Sequence, residues 1–250
     1  FAYNAFGQKT SYTDPLGNVS TYTYHTDGRL ASVTDPRSNT TSYEYNSRGL
    51  KVKESYADAN YRAWSYDDYG NLLSVTDETG SITTYMYDEY ARKIFEIDPL
   101  GHTTEYTYDG GINGCGGCGY REQPDQIISP AGHITEFTYD NDGRRLTETR
   151  GLGSPDAATT TYTYDALGRM STRTDPLGNS WSYTYDNRGR RLTETNPLGK
   201  VTSYTYDVQG NQLTRTEPGS AIWTMTYDSM NRLLTRKDPL NPITTLTYDA

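Results

Sequence analysis

The sequence predicts an all-β protein, a continuous antiparallel meander of 21-residue β-hairpin repeats coiled into a spiral ribbon or the wall of a hollow shell. Three observations carry that reading: a tyrosine recurring at a fixed interval, two Asp-x-x-Gly-type turn signals inside each interval, and a period of two between the turns. The tyrosine stands at Tyr3, Tyr24, Tyr45, Tyr66, Tyr87 and Tyr108, then at Tyr139, Tyr164, Tyr185, Tyr206, Tyr227 and Tyr248. Nine of the eleven intervals are 21 residues; the others, 31 and 25, read as insertions into two copies of one unit. A fixed period in this range means a repeat architecture.

One unit is well represented by Tyr185 to Tyr206, YDNRGRRLTETNPLGKVTSYTY. Its first turn is Asp186-Asn187-Arg188-Gly189, and the turn halfway along the preceding unit is Asp175-Pro176-Leu177-Gly178. Asp bonds forward to the backbone, Pro fits the second position, and Gly takes the left-handed position that follows a type I turn in short hairpins. Gly168, Gly189 and Gly210 therefore read as structural positions of the repeat. Between turns the chain alternates, with Tyr183 and Tyr185 on one face and Ser182 and Thr184 on the other, which is strand period. Turns this short allow only antiparallel neighbours. About 22 strands follow, and a twisted sheet of that size coils, spirals or closes.

Composition points the other way. Leu, Ile, Val and Phe make up 36 of 250 residues, and the net charge is −9, values that by themselves suit a disordered chain. The 25 tyrosines resolve the conflict, because at fixed strand positions they supply apolar area that an aliphatic count misses. Aromatic residues also recur two positions before the opening tyrosine, as at Tyr22, Trp64 and Tyr183, and stacked hairpins are expected to align them into ladders. The acidic balance argues against nucleic acid and anionic membranes as partners. No apolar run reaches the length of a membrane span. The array reads as one domain over 1–250, with an insertion at 110–126 and a longer hairpin loop at 151–158. Because Phe1 opens inside a unit and Ala250 stops one turn short of the next, it is expected to be a segment of a longer chain.

The early units drift: DPLG stands at Asp14 to Gly17 and Asp98 to Gly101, but the third unit has Ala57-Asp58-Ala59-Asn60 in its place. Such drift suits a hairpin, which needs only its turn residues, and not a catalytic loop. Charges recur after the first turn, as Arg190 and Arg191 with Glu194, and Arg144 and Arg145 with Glu148. They read as cross-strand ion pairs on a solvated face, each worth under about 1 kcal/mol, or as a charged ladder facing a cargo or polysaccharide.

The sixth unit holds the only two cysteines, Cys115 and Cys118, in a Gly-rich stretch. They are a candidate disulfide or plain thiols; a metal with ligands from elsewhere and redox work are the alternatives. A redox CxxC wants a helix N-terminus, and zinc wants two more ligands. His102 and His133 share a repeat position, yet that position lies about 20 Å from the loop, at the far end of a six-residue strand. No nucleophile, phosphate cradle or complete calcium loop accompanies the three histidines. The expectation is no enzyme, no catalytic or metal residue and no cofactor.

The run YDALGRM from Tyr164, YDNRGRRL from Tyr185, YDNDGRRL from Tyr139, YDVQGNQL from Tyr206 and YDDYGNLL from Tyr66, each followed by a TDPLG-like turn, resembles the YD-repeat or Rhs-repeat family. Departures are Asn or His after the tyrosine at Tyr3, Tyr24 and Tyr45, and Ala91 and Asn231 where Gly is expected. Asn231 suits the left-handed turn, whereas Ala91 puts it in doubt. In bacterial relatives the resemblance implies a ribbon spiralling into a shell around a C-terminal toxin domain; animal teneurins use a similar barrel in adhesion. The family's self-cleaving protease and toxin would lie downstream, so no catalytic residue carries over. The implied partners are flanking repeats and an enclosed C-terminal domain of the same polypeptide, and the implied location is secreted or cell-surface. Adhesin, carbohydrate-binding array and extracellular fibre, with surface glycans or neighbouring subunits as partners, are the other readings.

Overall fold

The computed structural model describes residues 1–108, 123–240 and 242–248, and every regular element among them is a strand. The chain divides into two compact units, Phe1–Tyr108 with Ile127–Gly132, and Asp109–Gln126 with His133–Ala250. In the first, eleven strands run from Ala2–Tyr3 to Thr103–Thr107, each pairing antiparallel with the next. In the second, eleven strands from Ile134–Tyr139 to Ile243–Thr245 do the same. The short strand Gln126–Ile128 lies between them in sequence. In the seventh repeat the long loop ends one residue early, because Ala158 already pairs with Arg150.

Both kinds of turn close alike. The Asp186 amide donates to the Arg190 carbonyl (2.9 Å) and the Gly189 amide to the Asp186 carbonyl (3.0 Å); Asp175, Asn179 and Gly178 repeat the pattern. The glycines stand at positive φ, +78° at Gly168, +82° at Gly189 and +106° at Gly210. Ala91 (φ +61°) and Asn231 (φ +63°) take the same conformation with the same bonds, so the doubt at Ala91 is answered: the turn forms, with backbone strain. In the third repeat Tyr56 replaces the turn Asp and Ala59 (φ +70°) the glycine, and the reversal persists.

The two hairpins differ in one respect. Across the DPLG turn the register is even, with Thr174, Arg173 and Thr172 opposite Ser180, Trp181 and Ser182. Across the YD turn Tyr185 faces Arg191 but Thr184 faces Thr193, which leaves Leu192 as a bulge. The same one-residue shift recurs in the other YD hairpins described, as at Thr205/Tyr206 and Ser65/Tyr66. A six-residue strand (Ser180–Tyr185), a five-residue strand (Arg191–Thr195) and two five-residue turns thus make up the odd period of 21.

The pleat gives two unlike faces. One carries Tyr183, Tyr185, Arg191 and Glu194. The other is a hydroxyl ladder in which Thr184 meets Thr193 (2.6 Å), Thr205 meets Thr214 (2.7 Å) and Ser65 meets Ser74 (2.6 Å). Among the described residues only Phe137 and Tyr139 count as buried apolar side chains, at 9% and 8% exposure. Among the described residues each sheet thus carries one layer of side chains on either face, with no further buried apolar cluster.

Candidate functional site

The seam where one repeat meets the next repeats the same side-chain contacts along the described chain, and it begins at the bulge. At Leu192 the ladder to the following strand ends with Thr193 opposite Ser203, which leaves the Arg191 carbonyl outside it. The hydroxyl of Tyr206, from the next repeat, donates to that carbonyl at 2.8 Å. Tyr24, Tyr66, Tyr87, Tyr108, Tyr139, Tyr164, Tyr185 and Tyr227 donate in the same way to Lys9, Lys51, Leu72, Lys93, Pro124, Arg145, Met170 and Gln212, at 2.7 to 3.1 Å. The opening tyrosine therefore satisfies a backbone acceptor that the bulge removes from the sheet.

An arginine closes the seam from the other side. The Arg190 Nε donates to the Asp186 carboxylate (2.7 Å), its Nη1 donates to the Asp207 carbonyl of the next repeat (2.7 Å), and its guanidinium lies 4.7 Å from the Tyr206 ring centre. Arg169 binds Asp165 (2.7 Å), the Asp186 carbonyl (2.6 Å) and the Tyr185 ring (4.8 Å). Arg92 and Arg144 clasp Asp88 and Asp140 and cover Tyr108 and Tyr164. The aspartates are correspondingly acidic. The guanidinium of Arg169, then its amide, holds Asp165 below the ordinary carboxylate range, and Arg29 does the same to Asp27, lowering it to about 2.

Two readings of the sequence change here. The recurring Arg–Glu pairs are not cross-strand: Arg191 binds Glu194 (2.9 Å) and Arg145 binds Glu148 (2.8 Å) along one strand, across the bulge, while Arg190 and Arg144 belong to the turns. The aromatic ladder is not ring on ring either. Equivalent positions in adjacent repeats are two strand spacings apart, about 10 Å, and a cation from the intervening strand fills the gap. Lys51 Nζ sits 5.6 Å from the Tyr43 ring centre and 4.4 Å from that of Trp64; Lys93 lies likewise between Tyr85 (5.7 Å) and Tyr106 (4.3 Å). Each such contact is worth about 0.5–1 kcal/mol at an exposed site. In the second unit Arg191 covers Tyr183 at 4.8 Å.

Cys115 and Cys118 lie outside the described residues. His102 takes the place held by Asn18 and Asn179 in other repeats, its Nδ1 2.8 Å from the Asp98 carboxylate. Among the described residues no three His, Cys, Asp or Glu side chains gather into a metal site.

The RHS Repeat family matches residues 3–37, 24–61, 154–179, 164–201 and 191–222, together just over half of the chain. No curated protein matches it in sequence. Among solved structures it is similar to TcdB2-TccC3 without its hypervariable C-terminal region, at 19% identity and a TM-score of 0.73 over 96% of this chain and 14% of that one. TcdB2-TccC3-TEV matches at 19% identity and 0.63, over 98% of this chain and 16% of that one. TcdB2-TccC3-Cdc42 matches at 18% and 0.60, over 88% and 14%. This chain thus spans about one-seventh of the chains whose fold it shares, and by the repeats it matches and the all-strand meander they build it belongs to the RHS repeat family.

Proposed function

We propose that this segment is a length of wall in a β-sheet shell that encloses a C-terminal toxin or effector domain of the same polypeptide, in a secreted or cell-surface protein. The observation that carries the reading is the seam itself. Among the described residues nearly every repeat is fastened to its neighbour by the same tyrosine hydroxyl, and several by the arginine clasp as well, so the wall lengthens by addition and its side chains serve cohesion, not catalysis. Two further observations support it. The fold is shared with TcdB2-TccC3, one of whose structures is described as lacking a hypervariable C-terminal region. In the second unit Leu177, Leu198 and Leu240 stand 82–88% exposed at DPLG-like turn tips, an apolar edge suited to cover by flanking chain.

Cryo-electron microscopy of the intact parent protein tests this. A closed hollow particle with internal density is the expected result. An open ribbon or filament would overturn it in favour of a fibre subunit or an adhesin that binds carbohydrate through exposed aromatics such as Tyr69 and Tyr90.

A further inference from the structure

Four of the described seams lack the arginine. The first and third fill its place with their own side chains, Gln8 Nε2 donating to the Gly28 carbonyl of the next turn (2.7 Å) and Leu50 lying against the next turn at Gly70. The other two carry asparagine. At the position of Arg169 and Arg190 the fourth repeat has Asn71 and the tenth has Asn211. Asn71 Nδ2 reaches its own turn carboxylate, Asp67 (2.8 Å), and Asn211 Nδ2 reaches Asp207 (2.9 Å) and the Asn231 side-chain oxygen of the next turn (2.8 Å), but neither side chain is long enough to cover the next tyrosine. Among the described residues no cation lies over Tyr87 or Tyr227, whereas Arg29, Arg92, Arg144, Arg169 and Arg190 each cover the corresponding ring at 4.4 to 5.2 Å. A groove of about 560 Å³ is lined by Asp67, Asn71, Tyr87, Asp88 and Ala91, and one of about 430 Å³ by Asp207, Asn211, Tyr227, Asp228 and Asn231.

The three anchors that hold a guanidinium elsewhere in this chain persist in these grooves: a turn carboxylate, the next turn's aspartate carbonyl and an aromatic face. The Asp88 carbonyl accepts the Ala91 amide and the Asp228 carbonyl accepts the Asn231 amide, each leaving the lone pair that in the Arg169 and Arg190 seams takes Nη1. The residues after the two asparagine seams, Ala91 and Asn231, both carry a Cβ; one added at Gly168 would lie 2.8 Å from Arg144 Nη1 and one at Gly49 3.0 Å from Arg29 Nη1, whereas Gly189 and Gly210, after Arg169 and Arg190, have room for it. Nearby charge suits a cation: Glu89 lines the first groove, and the Asp207 carboxylate, after burial, raises the Tyr227 phenol. The nearest competing cations are engaged, Arg92 with Asp88 and Arg232 with Asp228.

We propose that the Asn71–Tyr87 and Asn211–Tyr227 seams are binding sites for arginine side chains of a second polypeptide segment, whose guanidinium completes the clasp that the other repeats complete internally. Planar, bidentate donors and ring stacking favour arginine over lysine there. This does not depend on the wall closing.

The test uses the full 250-residue chain and N-acetyl-arginine amide as probe, followed by amide and side-chain NMR shifts, with the uncharged citrulline analogue as control. Saturable shifts centred on Asn71, Tyr87, Asn211 and Tyr227, absent with citrulline, are expected. The double variant Asn71→Arg with Ala91→Gly supplies the guanidinium internally and should weaken the first site about tenfold or more, the loss of a charge-assisted bond, while leaving the second unchanged. Shifts that do not saturate, that spread equally over the arginine seams, or that citrulline reproduces would overturn the proposal. The control needs no variant, so a misfolded double mutant leaves the decision intact.

Discussion

Gly189 and Ala91 hold the same turn position at φ +82° and +61°, one without a Cβ and one with it. A Cβ added at Gly189 meets no atom within 4 Å, so Gly189→Ala isolates the backbone term and should cost about 1–2 kcal/mol. The reverse change, Ala91→Gly, should return about 1 kcal/mol after the greater chain entropy of glycine is counted; urea midpoints of the two variants should move in opposite directions. Tyr185→Phe keeps the ring under Arg169 and removes only the hydroxyl that serves the Met170 carbonyl, an expected loss of about 1 kcal/mol. The turn aspartates set a pH limit. Asp27, Asp165 and Asp228 are held below their unfolded values, so the stability they supply is complete above about pH 4 and is lost as pH falls through their folded values. The melting temperature should hold from pH 7 to about 5 and drop between about 4 and 2, and Asp165→Asn should flatten that drop.

At the scale of the hairpin, Arg190 joins its own turn to the Asp207 carbonyl of the next, 17 residues on. Arg190→Lys keeps the charge but not the planar fork, so it should lose about 1–2 kcal/mol of clasp energy and speed hydrogen exchange at Gly210, in the next turn, more than at Gly189 in its own. Even exchange at both glycines would assign Arg190 to its own turn alone. The difference between the partners explains what the sequence discloses. Asp186 and Gly189 act within a few residues of themselves, so turn chemistry places them, and the spacing of Tyr185 is legible although its hydroxyl reaches Met170 in the preceding repeat. Arg190's second partner belongs to the next repeat, and the spacing from Asp186 to Arg190 reveals only the first. The bulge at Leu192 did leave a trace, because two even half-units would give an even period and 21 is odd. The aromatic ladder misled because period two puts Tyr183 and Tyr185 on one face but says nothing of the strand between successive ladders, whose Lys93 or Arg191 side chains separate the rings.

For the whole molecule, the repeat of 21 residues is the unit of both geometry and energy. A linear array holds together through intrinsic repeat terms and nearest-neighbour seams, without a core that every residue must share. Removing residues 186–206 joins Tyr185 to Asp207, restores a Tyr-Asp pair before Val208-Gln209-Gly210, and leaves one bulged and one even hairpin in alternation on both sides of the junction. That deletion should fold, with an unchanged far-ultraviolet β spectrum and a total denaturant m-value lower by about 8%, in proportion to the surface removed. Removing only residues 186–195, one turn and one strand, joins Tyr185 to Asn196 and should fail. The six-residue strand would then face Val201–Tyr206 across an even turn, without the bulge whose carbonyl Tyr206 serves, and two tyrosine strands would lie side by side with no cation between them. If the ten-residue deletion proved as stable as the 21-residue one, hairpins would be interchangeable and the bulge incidental; if both failed, the units would depend on contacts beyond their neighbours.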